Sequence, residues 1–357
     1  MPLEHSVAAA FDLGGSVIDV KPFGRGLIND TYLVTTDKSR AVLQRINRRA
    51  FPRPELIMQN LRCLSDHIAT RGDAGLRLPR IVPARDGRDF VLDGEQGFWR
   101  TLTFIENTDT VETIDDPAQA AEIGATLGRF HACADGLDPA RLHATRPGFH
   151  QTPLYYERFA QAAEHAAATP SDVELAWCVG FARARGKIVS VLEDAKQRGE
   201  LKTRIIHGDT KLDNFLFDLD SRRAVSLIDL DTVQPGLVHY DVGDCIRSAA
   251  NPAGESPTDA TRVKFDMDIC RALLSRYLAH ARATLTAADI EYLYDAIRLI
   301  PFELGLRFLT DHLEGDVYFK TKWRGQNLHR ALVQFRLTAD IEKNESALRA
   351  LIATLVK

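Results

Sequence analysis

The chain has few cysteines, and no two of them lie close together. Cys63, Cys133, Cys178, Cys245 and Cys270 are scattered and odd in number, with no CxxC. That spacing argues against a disulfide framework and a cysteine-based zinc site, and it fits a reducing compartment. Long apolar runs are missing as well, since nothing approaches the about 18 residues of a membrane span. The opening "MPLEHSVAAAFDLGG" carries acids and no long apolar core, so neither a signal nor a transit peptide is expected. There is no surplus of base: 45 Lys and Arg stand against 49 Asp and Glu, a net charge of −4. Nucleic acid and anionic membrane are therefore not expected partners, and the chain reads as cytoplasmic. Internal repeats and low-complexity tracts are absent too. What remains is an ordinary globular balance over 357 residues, long enough for two lobes.

The first hundred residues read mostly as strand. "SVIDVKPF" (16–23), "DTYLVTT" (30–36) and "RAVLQRI" (40–46) are short, alternating or β-branched, and separated by turn residues. A helix is expected from Pro54 to about Thr70, with Leu56, Met58, Leu61, Leu64 and Ile68 on its apolar side. Strands at 88–92 and 98–105 follow. Beyond "FIENTDT" (104–110) the pattern turns helical, with helices expected at 117–133, 154–166, 171–197, 238–249, 258–281, 287–313 and 327–354. Two strands, 214–217 and 224–228, interrupt that half. The expected organisation is α+β: a β-rich N-terminal lobe (1–105), a mostly helical C-terminal lobe (106–357), and a ligand cleft between them.

One stretch stands out. "HGDTKLDNFLFD" (207–218) sets three aspartates, a lysine and an asparagine directly after the apolar strand "TRII" (203–206). A solvated turn would use the same residue types. The next fifteen residues sharpen the choice. The strand that begins at Asn214 reverses through "DLDSRR" and returns as "AVSLIDLD", so an antiparallel hairpin brings Asp229 back beside Asn214. Asn214, Asp229 and Asp231, with Asp209 close by, then form a cluster of hard oxygen ligands. Mg²⁺ suits such a cluster, taking one or two carboxylates and an amide oxygen and leaving its other positions to phosphates and water.

The spacing H-x-D-x-K-x-x-N (His207, Asp209, Lys211, Asn214) is that of a kinase catalytic loop. With "IDLD" following, it resembles the aminoglycoside phosphotransferase and choline kinase superfamily. "GRGLINDTYLVTT", "VLQRIN", "IDLDTVQPGLVHYDVGDCIR" and "LGLRFLTDHLEGDVYFKTK" extend the likeness over nearly the whole chain, and look like its N-acetylhexosamine 1-kinase branch. The resemblance implies a two-lobed protein-kinase-like fold, ATP and Mg²⁺, and phosphorylation of the anomeric hydroxyl of GlcNAc or GalNAc. It implies Asp209 as the group that accepts or orients the hydroxyl, Lys211 at the transferred phosphoryl, and Asn214, Asp229 and Asp231 on the metal. Gly24 and Gly26 would cover the phosphates, Gln44 would stand on the third strand, and the backbone near Phe104 and Glu106 would meet adenine. Asn29, Arg307 and Tyr318 would line the sugar pocket.

Two features depart from the kinase pattern. The glycine loop reads G-x-G-x-x-N, with Leu27 where related kinases place a histidine. Gln44 stands where V-A-I-K would put the phosphate-pairing lysine, and no helix glutamate can be assigned beyond a weak candidate in Glu55. Asp241 and Asp244 are expected to be buried structural acids, bonded to the catalytic loop or Arg247, and His131 and Cys133 to be core. Rival substrates are choline, homoserine, methylthioribose or an aminoglycoside, and a nucleotide-binding pseudokinase is the alternative from another class. The basic residues Arg307, Lys320, Lys322 and Arg324 weigh against a polycation, whose pocket should be acidic.

Overall fold

The structure is a computed structural model that describes residues 2–24, 28–71, 75–114, 116–165 and 172–355. A short helix α1 (Leu3–Ala8) precedes strands β1 (Val17–Pro22), β2 (Asp30–Thr36) and β3 (Arg40–Ile46). Helix α2 (Pro54–Ala69) follows, then β4 (Ile81–Val82), β5 (Val91–Leu92), β6 (Phe98–Thr103) and β7 (Thr108–Asp109). The remainder is mostly helical: α3 (Pro117–Ala134), α4 (Thr152–His165), α5 (Val173–Ala184), α6 (Val191–Gln197), α7 (Val238–Ala249) and α8 (Met267–Ala281). It ends with α9 (Ala287–Glu291), α10 (Leu293–Leu313), α11 (Gln326–Lys343) and α12 (Glu345–Leu355). Between α6 and α7 run four short strands, β8 (Arg204–Ile206), β9 (Phe215–Asp218), β10 (Ala224–Leu227) and β11 (Gln234–Gly236).

The N-terminal sheet is antiparallel in the order β1-β2-β3-β6-β4, with β5 also on β6. Alternation along β3 and β6 gives each face a different task. Ala41, Leu43 and Trp99 join α1 and Phe11 in a small outer core. Ile46, Phe98 and Leu102 turn inward to meet Ile57, Met58, Leu61 and Leu64 of α2. Gln44 and Arg100, paired across β3 and β6, share that inward phase. The inner core continues without a break through Ile114, Ile123 and Leu127 into the helical part. The chain changes from strand to helix where the sequence predicts. We propose residue 105 as the boundary between lobes; just beyond it, β7 already pairs with β9 of the helical part.

Two glycines set a close helix contact. A Cβ on Gly124 would come within 2.0 Å of the Leu273 carbonyl oxygen, and one on Gly128 within 2.7 Å of that of Tyr277. Helices α3 and α8 touch backbone to backbone there, which no larger residue permits.

Several helices are shorter than the sequence pattern predicts. The helix expected from 258 starts at Met267, where Asp266 accepts from the amides of Asp268 and Ile269 as its N-cap. The helix expected over 171–197 divides around Gly186–Ile188, and those expected over 287–313 and 327–354 each break into two. Pro301, by contrast, lies inside α10 without ending it. Among the described residues no helix is long and apolar enough to cross a membrane.

Candidate active site

Strand β8 delivers the chain into the acidic stretch, and its first turn is fixed from beneath. The amides of His207 and Gly208 donate to Asp241 Oδ2 and Oδ1, both at 2.7 Å, and Thr210 Oγ1 donates to the Asp241 carbonyl at 2.6 Å. Gly208 has φ +84°, and a Cβ there would lie 2.8 Å from the Thr232 carbonyl oxygen, so glycine is required. Asp241 is fully buried at the start of α7. Burial alone would raise its pKa, but His131, whose Nε2 lies 2.9 Å from Oδ2, and the His207 amide together outweigh it and hold the carboxyl below its ordinary range. His131 thus does more than fill the core, since its Nδ1 also meets Tyr277 Oη at 3.0 Å. Asp241 has the structural role expected of it, and so does Asp244, which pairs with Arg247 at 2.8 Å.

The ring of His207 is neutral. Its Nδ1 accepts from the Asp209 amide at 3.2 Å while Nε2 faces the Ile228 carbonyl at 2.9 Å, which fixes the tautomer. Burial keeps its pKa below the usual histidine value.

On this frame Asp209, Lys211 and Asn214 converge. Asp209 Oδ2 accepts from Lys211 Nζ at 3.1 Å and from Asn214 Nδ2 at 3.0 Å. Burial would raise the Asp209 pKa, but the charge of Lys211 and these hydrogen bonds prevail and bring it to about 2. Lys211 is correspondingly raised, first by Asp209. The second Asn214 Nδ2 hydrogen goes to the Asp209 carbonyl at 2.7 Å, so the amide is oriented and Oδ1 is the end left for a cation.

The predicted hairpin is present. Leu227 pairs with Phe215, and the Ile228 amide donates to the Asn214 carbonyl at 2.8 Å, bringing Asp229 beside Asn214. Asp229 itself is left-handed (φ 63°) and exposed, while protein crowds it on its other sides. That crowding, with Asp231 and then Asp209 as neighbours, pushes its pKa up to about 7. A carboxylate so burdened by like charge suits a cation. Among the described residues no three His, Cys, Asp or Glu side chains form a complete metal cage. Asp229 and Asn214 Oδ1 fit an ion that takes most of its ligands from phosphates and water, as Mg²⁺ does.

Four expected site residues sit differently. Asp231 is buried, with Oδ1 on Arg100 Nη2 and Oδ2 on Asn29 Nδ2 at 2.8 Å, so donors of the chain engage both oxygens expected on the metal. Asn29, expected at the sugar, is held at both ends, because its Oδ1 accepts from the Asn47 amide at 3.0 Å. Gln44 is likewise engaged: Oε1 accepts from Arg100 Nε at 3.0 Å and Nη2 at 2.7 Å, and Nε2 donates to Thr31 Oγ1 at 3.2 Å. Glu106 turns its carboxylate outward to Arg40. Arg40 also lies 4.4 Å above the Phe104 ring, which meets Phe23 edge-on. Glu55 lies near Arg53 at the surface. Gly24 makes the turn after β1 with φ +76°; Gly26 and Leu27 lie outside the described residues.

A third group faces Asp209 from the helical side. Arg307 of α10 lies among the rings of Phe149, Tyr155 and Phe319, 5.4 to 5.6 Å from their centroids. Arg146 donates to Tyr318 Oη at 2.7 Å and lies over Phe149 at 4.2 Å. Burial and then Arg307 bear against the Arg146 charge, so two guanidiniums share one partly dry space near Asp209. Arg146 and Tyr155 carry no local signal in "ATRPGFHQTPLYY"; only the fold assembles them. Arg100 did leave a trace, as a charged residue in the inward phase of an otherwise apolar strand.

Residues 19–281 match the phosphotransferase enzyme family, and the chain belongs to it. The fold is similar to that of an aminoglycoside phosphotransferase from Alicyclobacillus acidocaldarius, at a TM-score of 0.66 and 15% identity, over 99% of this chain and 96% of that one. It is also similar to choline kinase from Cryptosporidium parvum, at a TM-score of 0.60 and 14% identity, over 96% and 94%. A spectinomycin phosphotransferase solved with ADP and spectinomycin gives a TM-score of 0.58 at 11% identity, over 96% and 98%. The chain is thus a small-molecule phosphotransferase with a kinase-like fold, antiparallel sheet first and helices after.

Proposed function

We propose that the chain transfers the γ-phosphoryl group of ATP to the anomeric hydroxyl of an N-acetylhexosamine, GlcNAc or GalNAc. The observation that carries the sugar reading is the pair Arg146 and Arg307, flanked by Tyr155 and Tyr318, within electrostatic reach of Asp209. A neutral, oxygen-rich ring offers acceptors to the guanidinium forks and an apolar face to the aromatic rings. Choline and aminoglycosides are cations, and two half-buried guanidiniums repel them.

In this reading Asn214 and Asp229 hold Mg²⁺, which neutralises phosphate charge when bound. Asp209 has Lys211 and Asn214 on Oδ2, which leaves Oδ1 for the acceptor hydroxyl. With a pKa of about 2 it stays ionised at neutral pH and is a weak base. Its work is therefore to orient the hydroxyl in line and to take the proton late, as the new O–P bond forms. The loose transition state of phosphoryl transfer asks for little more. Lys211 stands ready to meet the charge of the moving phosphoryl group.

ADP release over a panel of sugars, choline, homoserine, methylthioribose and aminoglycosides tests the proposal. N-acetylhexosamines should give the highest kcat/KM, with a 1-phosphate product by phosphorus NMR. A 6-phosphate, or activity confined to the amines, would remove the sugar assignment and leave the phosphotransferase. Turnover with none of them, despite a thermal shift on Mg·ATP, would favour the nucleotide-binding module.

A further inference from the structure

Arg100 is 1% exposed, at the inner face of the N-terminal sheet. Its guanidinium is held on one side only. Nε and Nη2 donate to Gln44 Oε1, and Nη2 also donates to Asp231 Oδ1. Nη1 is closed off from solvent and, among the described residues, has no hydrogen-bond partner. Burying a guanidinium is costly unless its N–H groups are answered. Here the two N–H groups of Nη1 are left over, although Gln44, Thr31, Asn29 and Asp231 have been assembled to fix the rest of the fork. The arrangement fits an acceptor supplied from outside the chain.

Three features indicate what that acceptor is. A planar fork with free N–H groups matches the oxygens of a phosphate. Gln44, which anchors the fork, occupies the strand position where kinases carry the lysine that pairs with nucleotide phosphates. Asp231 belongs to the same short turn as Asp229, and the charge of Arg100 acts on Asp229. We propose that Arg100 meets the phosphates of the nucleotide in place of the missing lysine. In this arrangement Gln44 is its anchor, and Asp231 is its counter-ion where kinases use a helix glutamate. The lysine has in effect moved one strand over and become an arginine. This inference rests on the reading of the chain as a nucleotide-dependent phosphotransferase.

The competing role is a latch that only ties the sheet to the metal-binding turn. Calorimetric affinities for adenosine, AMP, ADP and ATP separate the two, because a latch has no preference for phosphates. R100M should weaken ATP and ADP by at least about tenfold and leave adenosine unchanged, as expected for a lost charge-assisted hydrogen bond. R100K, which keeps the charge and loses the fork, should fall between R100M and wild type. The charge-transposed double variant Q44K/R100M should recover most of the ATP affinity by returning a cation to the third strand. Melting curves identify the variants that fold. If R100M does not, R100K and Q44K/R100M carry the comparison. An unchanged ratio of ATP to adenosine affinity in every folded variant overturns the proposal. Should wild type itself fail to prefer ATP over adenosine, the proposal falls together with the phosphotransferase reading.

Discussion

At the scale of single residues, Asp209 and Asp229 are two carboxylates with opposite surroundings. Asp209 is surrounded by donors and held near pKa 2, whereas Asp229 is crowded by acids and pushed up to about 7. Their substitutions should therefore fail in different ways. Asp209→Asn keeps the shape and leaves Asn214 and Asp229 in place, so kcat should fall by about 10²–10⁴-fold while ATP affinity moves little. Asp229→Ala should instead abolish the extra thermal stabilisation that Mg²⁺ adds to bound ATP. Steady-state rates beside calorimetry on both variants check the pair; equal loss of ATP binding would make Asp209 a metal ligand or a structural acid. The sequence made these two legible because a hairpin obeys local rules, with a polar turn between two short apolar runs. It gave no such guidance for Asp231, Asn29 and Gln44. Each has the right chemistry for a ligand, and only the fold shows that another side chain already engages it.

At the scale of elements, His150 and Glu303 link α10 to the loop that follows β8. His150 Nδ1 faces Glu303 Oε1 at 2.9 Å, and Nε2 faces the Gly208 carbonyl at 3.0 Å. Both ring nitrogens meet acceptors, so the ring is held as imidazolium. Burial alone would lower its pKa, but Glu303 and the Gly208 carbonyl raise it above the usual histidine value. A raised folded pKa adds stability that is complete below the unfolded value of about 6.5 and is lost as pH rises through the folded one. The Tm advantage of wild type over His150→Gln should thus shrink as pH is raised from 6 to 9; a constant or growing gap would mean the ring is neutral. A second test concerns helix spacing. Gly124→Ala drives a methyl into the Leu273 carbonyl and should cost ~3 kcal/mol. Gly180→Ala on α5, with no described residue within 4 Å of the new methyl, should stabilise by ~0.5–1 kcal/mol. Thermal melts of the two variants read both signs. Helix existence was legible from apolar spacing, but helix ends were not. The cap at Asp266 and the break near Gly186 depend on what the neighbouring elements leave room for.

At the scale of the molecule, the division into a sheet half and a helical half was legible from composition, because β-branched alternation stops where helical spacing begins. The cluster proposed to receive the acceptor was legible only in part: Arg307 and Tyr318 were expected there, whereas Arg146 and Tyr155 were not, and Arg146 lies 172 residues from its partner Tyr318. The unbroken inner core has one more consequence. Ile46, Phe98 and Leu102 of the sheet share one apolar cluster with Ile57 and Leu61 of α2 and with Ile123 and Leu127 of α3. Such packing resists a swinging hinge and permits only small sliding of one surface over the other. Loading with nucleotide and acceptor should therefore leave the radius of gyration from small-angle scattering unchanged within error. A clear contraction would mean that the core opens and shuts with each turnover.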